Sequence, residues 1–96
     1  MENDFEARMY KVYNTMKDTG YVSPRFLEKL RRDGGVHTAA HLVSEGTSTG
    51  FLRLLRHRKL ESTVEALVLE YSELFPNVVT QAARQRVDLA RQLLAA

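Results

Sequence analysis

The chain has 96 residues, 14 of them basic and 12 acidic, with three histidines and a formal net charge of +2. A chain this short holds one hydrophobic core and no second one, and 44% hydrophobic with 27% charged residues is the balance of a folded domain, not of a disordered segment. The lack of cysteine excludes disulfides, thiolate nucleophiles and every cysteine-ligated zinc or iron–sulfur site. No apolar run approaches the ~20 residues that span a bilayer, and the acidic opening around Glu2 and Asp4 predicts no signal peptide. The expected compartment is the cytoplasm.

In chain order, Phe5, Met9, Val12, Tyr13 and Met16 recur at three- and four-residue steps, which predicts an amphipathic helix over 3–18, with Asp4 and Arg8 paired on its outer side and Gly20 closing it. Ser23 can cap the next helix and Pro24 suits its first position; Val22 and Leu27 occupy the places of a hydrophobic staple. That helix runs to Asp33, buries Phe26, Leu27 and Leu30, and stops at Gly34. One glycine of Gly34-Gly35 takes the left-handed cap and the other opens a third helix, 36–45, whose inner face is Val36, Ala39, Ala40 and Val43.

The stretch Gly46 to Gly50 lacks periodicity and reads as a loop. A fourth helix, 49–58, turns Phe51, Leu52, Leu54 and Leu55 inward, with Arg53, Arg56, His57, Arg58 and Lys59 around them. Ser62 and Glu65 form the Ser-x-x-Glu pattern of a capping box and start a fifth helix, continuing through Val64, Leu67, Val68, Tyr71 and Leu74 until Pro76. Asn77 caps a sixth, 78–95, with Val79, Ala82, Ala83, Val87, Ala90 and Leu94 on one side and Arg84 paired with Asp88. No segment alternates like a strand. The expected fold is all-α: a single domain over residues 1–96, a compact cluster of five or six short helices.

Gly34-Gly35-Val36, Ala39-Ala40-His41-Leu42, Ser48-Thr49-Gly50-Phe51 and the block Leu60-Glu61-Ser62-Thr63-Val64-Glu65-Ala66 together resemble a small all-helical prokaryotic module of uncharacterised function. Gly20-Tyr21 and Arg25-Phe26-Leu27 extend the resemblance to about residues 10–95. Such modules stand alone or are fused to nuclease or restriction-type defence proteins. The resemblance therefore implies a setting beside nucleic-acid processing, and it carries over no catalytic residue.

Chemistry-bearing patterns are sparse. His37, His41 and Glu45 share one helix stripe, a weak candidate set for a metal, but Thr38 stands where a metalloprotease helix needs glutamate; an exposed polar face is the expected reading, with no metal and no cofactor. Ser23 and Ser62 are accounted for as caps, no nucleophile elbow or phosphate-binding loop is present, and no catalytic residue is expected. Tyr10, Tyr13, Tyr21 and Tyr71 suit the edge of a core.

Two basic clusters remain: Arg53, Arg56, Arg58 and Lys59, and Arg25, Lys29, Arg31 and Arg32. Gathered on one face, such groups neutralise phosphates without reading sequence. Helix five, with Glu61, Glu65, Glu70 and Glu73 and no basic residue, offers to cancel the first cluster internally. A helix-turn-helix built on helices two and three fits poorly, because it places Arg31 where a small residue belongs and His41 where a buried aliphatic one does. The expected function is a non-enzymatic accessory module making weak, sequence-independent contact with DNA or RNA backbone through Arg53, Arg56, Arg58, Lys59, Arg31 and Arg32. The alternative is a protein–protein or homodimerisation module using Leu52, Leu69, Leu89 and Leu93. Neither involves a membrane.

Overall fold

The computed structural model describes residues 1–95, and its six helices fall in the predicted order: α1 (Glu2–Asp18), α2 (Pro24–Asp33), α3 (Gly35–Ser44), α4 (Thr49–Arg56), α5 (Val64–Glu70) and α6 (Asn77–Ala95). Single 3-10 turns at Leu60–Ser62 and Ser72–Leu74 flank α5, and no strand occurs among the described residues. The radius of gyration is 12.3 Å, close to the ~12.5 Å of one compact globule of this length.

α1 buries Phe5, Met9, Val12 and Met16, the predicted stripe. Its end is a Schellman turn: Gly20 N–H donates to the Lys17 carbonyl at 2.9 Å and Tyr21 N–H to the Met16 carbonyl at 3.0 Å, with Gly20 at φ +91°. The predicted Asp4–Arg8 pair does not form. Arg8 reaches Glu70 at the end of α5 instead, through two hydrogen bonds of 2.8 and 3.1 Å, and its guanidinium lies 5.9 Å from the Tyr71 ring.

α2 has the predicted bounds because its signals are local. Ser23 Oγ accepts from Phe26 N–H at 3.3 Å, Pro24 occupies the first turn, and Gly34 ends the helix at φ +84°. The staple lies at the surface, since Val22 is exposed and Leu27 half-buried. Gly35 then opens α3 where that helix meets α1. A Cβ there would stand 3.1 Å from Glu6 Cα and 3.3 Å from Phe5 Cδ2, so the close approach requires glycine. The carboxylate of Glu6 accepts from Gly35 N–H and so caps α3 from another helix. On α3, Ala39 and Val43 are buried as predicted, whereas Val36 and Ala40 are half-buried. Thr38 takes the interior place, donating its hydroxyl to the Lys29 carbonyl at 3.2 Å.

α4 is capped by Ser48, whose Oγ accepts from Phe51 N–H at 3.1 Å. Phe51 and Leu54 are buried and Leu55 half-buried, but Leu52 faces outward. The cap of α5 is Thr63, not Ser62. Ser62 N–H is already used in the 3-10 turn that tucks Leu60 into the interior, donating to the Lys59 carbonyl at 2.9 Å, and the Glu65 carboxylate that a capping box would borrow belongs to Arg86. Thr63 Oγ1 accepts from Ala66 N–H at 3.1 Å and donates to the Leu60 carbonyl at 2.8 Å. Thr63→Ala is therefore expected to cost about 1–2 kcal/mol and Ser62→Ala no more than a few tenths. Urea midpoints of the two variants compare them directly; a larger loss for Ser62→Ala would return the cap to Ser62.

α6 begins at Asn77, whose residue is the first of the helix, with the Pro76 carbonyl accepting from Val79 and Thr80 N–H at 3.0 and 3.2 Å. It buries Val79, Ala83, Val87 and Ala90, and no ion pair links Arg84 to Asp88 among the described residues. α5 packs along α6 and α1 along α3. The core joins Phe5, Met9, Leu30, Val43, Leu54 and Val68, and Phe51, Leu60, Val87 and Ala90 form a satellite cluster between α4 and α6, with half-buried Leu69 packed against both.

Candidate functional site

The basic end of α4 is also a Schellman turn, but one without glycine. Arg58 N–H donates to the Leu55 carbonyl at 2.9 Å and Lys59 N–H to the Leu54 carbonyl at 2.8 Å, which forces Arg58 to φ +58°. Arg58 is the one non-glycine residue with positive φ among the described residues. The left-handed conformation costs an L-residue roughly 1–2 kcal/mol, so the chain carries strain at this arginine that Gly20 spares it at the end of α1. Arg56, Arg58 and Lys59 are exposed; Arg53 is half-buried and donates to the Thr19 carbonyl at 3.3 Å.

The carboxylates of the α5 region turn elsewhere. Glu65, almost fully buried, accepts from Arg86 of α6 at 3.0 Å, and the same guanidinium donates to the Val43 carbonyl in the last turn of α3. Burial pushes the Glu65 carboxyl above its ordinary value, against the opposing pull of its own backbone N–H and of Arg86. Glu70 goes to Arg8, whose hydrogen bonds hold its carboxyl below the ordinary value. Glu61 and Glu73 form no ion pair among the described residues. No ion pair joins α4 to α5, and Arg53, Arg56, Arg58 and Lys59 have no acidic partner within 4.0 Å among the described residues.

The second basic cluster is placed differently. Arg32 is held by Asp33 at 3.0 and 3.1 Å, with Glu28 at 4.0 Å, and Arg31 is exposed beside it. The Arg32 hydrogen bond lowers the Asp33 carboxyl below its ordinary value. Arg25, Lys29 and Arg32 border a cleft whose opposite wall is the first turn of α4, and none of Arg53, Arg56, Arg58 or Lys59 lines it. The two clusters are thus separate features.

On α3, His41 Nε2 lies 3.1 Å from Glu45 Oε1, both exposed, and no group of three or more histidine, aspartate and glutamate side chains suited to a metal occurs among the described residues. Arg31 and His41 are both exposed where a helix-turn-helix would bury a small and an aliphatic residue. Tyr10, Tyr13, Tyr21 and Tyr71 pack half-buried against the core. No helix among the described residues is long and apolar enough to cross a membrane.

Sequence reasoning located the basic residues of α4 but missed the strain at Arg58. A signal for it exists: the helix ends at His57-Arg58-Lys59, with no glycine or asparagine to take the left-handed position. Set against known protein families, curated proteins and solved structures, the chain matches none of them.

Proposed function

We propose that this domain is a non-enzymatic, cytoplasmic accessory module of prokaryotic type, acting beside nucleic-acid-processing or defence machinery, and that it contacts DNA or RNA backbone through the end of α4. The observation that carries this reading is the set of four basic side chains, Arg53, Arg56, Arg58 and Lys59, with no acidic partner within 4.0 Å among the described residues, while Glu70 and Glu65 are taken by Arg8 and Arg86. The strained backbone at Arg58 adds to it, because strain retained at an exposed charged residue is a common mark of a functional position. Arg31 and Arg32 would act at most as a second, weaker contact, since Arg32 is engaged by Asp33.

Binding of this kind is expected to be weak, with a dissociation constant of about 10⁻⁴–10⁻⁶ M near physiological salt, and indifferent to sequence. Its logarithm should fall linearly with the logarithm of salt concentration, with a slope of roughly −2 to −4 for two to four phosphates. The double variant Arg56→Ala, Arg58→Ala should lower that slope by about one to two units with helical content unchanged. Arg58→Gly separates binding from folding: it is expected to raise stability by up to ~1 kcal/mol, by relieving the left-handed residue, while weakening nucleic-acid binding. If the wild type shows no salt-dependent retention on DNA or RNA, this reading fails.

A second reading rests on a different observation. Val78, Leu89 and Leu93 on α6 and Leu52 on α4 are more than half exposed, whereas Leu69 is half-buried against the core. A protein–protein or homodimerisation module would use the first four, and a concentration-dependent dimer weakened by Leu89→Lys would favour it.

A further inference from the structure

Single strands and duplexes offer a protein different handles. A single strand exposes base faces, and each base stacked on an aromatic side chain adds roughly tenfold or more in affinity. A duplex hides those faces and presents phosphate at twice the linear density, one charge per ~1.7 Å against ~3.4 Å for one strand. Which of the two suits the end of α4 therefore turns on where the aromatic side chains lie.

None of them is exposed. The chain has four phenylalanines, four tyrosines and no tryptophan. Phe5, Phe26, Phe51 and Phe75 are all buried. The tyrosines are half-buried and packed on the core, with their rings already engaged. Tyr71 meets Phe5 edge-on and lies under the Arg8 guanidinium. Tyr13 shares a groove with Arg31 and Arg32, but its ring stacks on Phe26 at 6.2 Å and Arg32 is held by Asp33. Tyr21 lies against the first turn of α4, where a Cβ on Gly50 would come within 3.7 Å of it, at the opposite end of that helix from the basic cluster.

The charge at the end of α4 is compact. From Arg53 to Glu61 there are four cations and one carboxylate, a surplus of three with His57 neutral. Arg56, Arg58 and Lys59 are exposed, and the Cα atoms of the outer two are at most ~11 Å apart. Leu52, the exposed residue one turn before Arg56, is aliphatic. The patch can neutralise phosphate but has no ring on which a base could stack.

We infer that the partner of the α4 end is double-stranded nucleic acid, not a single strand. The inference rests on the backbone contact proposed above and narrows it. Each phosphate contacted releases about 0.9 counterions from a duplex and about 0.7 from a single strand. For two to four phosphates and otherwise equal contacts, the duplex is favoured about three- to tenfold at ~50 mM salt, and no stacking offsets this. The patch reaches phosphate alone, so duplex DNA and duplex RNA are one class for it.

The test is an anisotropy titration of the full chain into a labelled DNA duplex, an RNA duplex and an unpaired DNA strand of equal length. At ~50 mM salt both duplexes should bind about three- to tenfold tighter than the strand, and the salt slope of the strand should be about three-quarters of theirs. Tyrosine emission, which no tryptophan masks, should not change when the strand is added. Arg56→Ala with Arg58→Ala should bring duplex and strand affinities closer together, because the preference grows with the number of phosphates contacted. A strand that binds as tightly as a duplex, or that quenches tyrosine emission, would overturn the duplex assignment and leave the backbone contact standing. A duplex preference untouched by the double variant would overturn its assignment to α4. Absent or salt-independent binding to all three would remove the backbone contact and this inference with it.

Discussion

Arg86→Ala is expected to destabilise the domain by about 3–5 kcal/mol, the cost of breaking a buried ion pair by removing one partner. The Arg86 and Glu65 side chains are 16% and 4% exposed, so the carboxylate left behind is poorly hydrated. The same guanidinium donates to the Val43 carbonyl in the last turn of α3, which also accepts from Gly46 N–H at 3.4 Å. One side chain thus joins α6 to α5 and closes α3. Arg86→Lys should recover only part of the loss, because a single ammonium lacks the planar fork that serves both acceptors. Replacing the pair together, Arg86→Met with Glu65→Leu, should be far milder than Arg86→Ala, since no charge is then stranded. Urea unfolding of the three variants measures this; an Arg86→Ala loss below about 1 kcal/mol would show that the pair is not structural.

The pair also predicts a direction with pH. Burial raises the Glu65 carboxyl above its unfolded value, so between the two values the native state holds more protons than the unfolded state. This contribution to stability is fully present below the ordinary carboxylate range and is lost as pH rises through the folded-state value. Removing Arg86 deletes one of the pulls that lower the carboxyl, so the decline with pH should be steeper in Arg86→Ala and lost in Glu65→Gln. The exposed Glu70 works the other way: its lowered carboxyl contributes a little above the unfolded value, and that is lost on acidification.

Phe5→Ala is the second large effect, expected at about 3–5 kcal/mol. Phe5 is fully buried where α1 crosses the start of α3, and its ring meets Tyr71 and Phe75 edge-on, each with centroids 5.3 Å apart. Truncation removes both aromatic contacts and leaves a cavity beside Gly35, a residue that packs tightly against Phe5 and has no side chain with which to fill the space. Against a total stability of roughly 5–15 kcal/mol for a domain of this kind, either substitution takes a large share. The urea midpoint should fall with little change in slope for Phe5→Ala; a midpoint within error of the wild type would mean that the junction of α1, α3 and the Ser72–Leu74 turn does not hold the fold together.

How far these features were legible depends on the distance along the chain over which each is decided. The Ser23-Pro24 start and Gly34 stop of α2 involve neighbours only, and both stand as read. The choice between Ser62 and Thr63 did not, although the two are adjacent. It is settled by the burial of Leu60 in the α4–α6 core and by Arg86 claiming Glu65 from 21 residues away. The α1 stripe of Phe5, Met9, Val12 and Met16 was equally plain, because a helix repeats every 3.6 residues whatever lies opposite. Thr38 was missed because a threonine is buried only when an acceptor awaits it, here the Lys29 carbonyl on another helix.

The candidate site divides along the same line. Composition and order alone placed Arg53, Arg56, Arg58 and Lys59 at the end of one helix, and the periodicity of the chain alone determined an all-α domain and most of its helix boundaries. Whether those charges were cancelled was not a local matter. The tertiary structure sends Glu70 to Arg8 across 62 residues and Glu65 to Arg86, so neither pairs with the end of α4; it also caps α3 with Glu6 across 29 residues and leaves a cleft between α2 and α4. Helix formation is governed by hydrogen bonds and side-chain spacing within a few residues, so it is written in the order of the chain. An ion pair or a cleft exists only where packed helices bring distant side chains within a few ångströms, and that geometry arises after the core has closed.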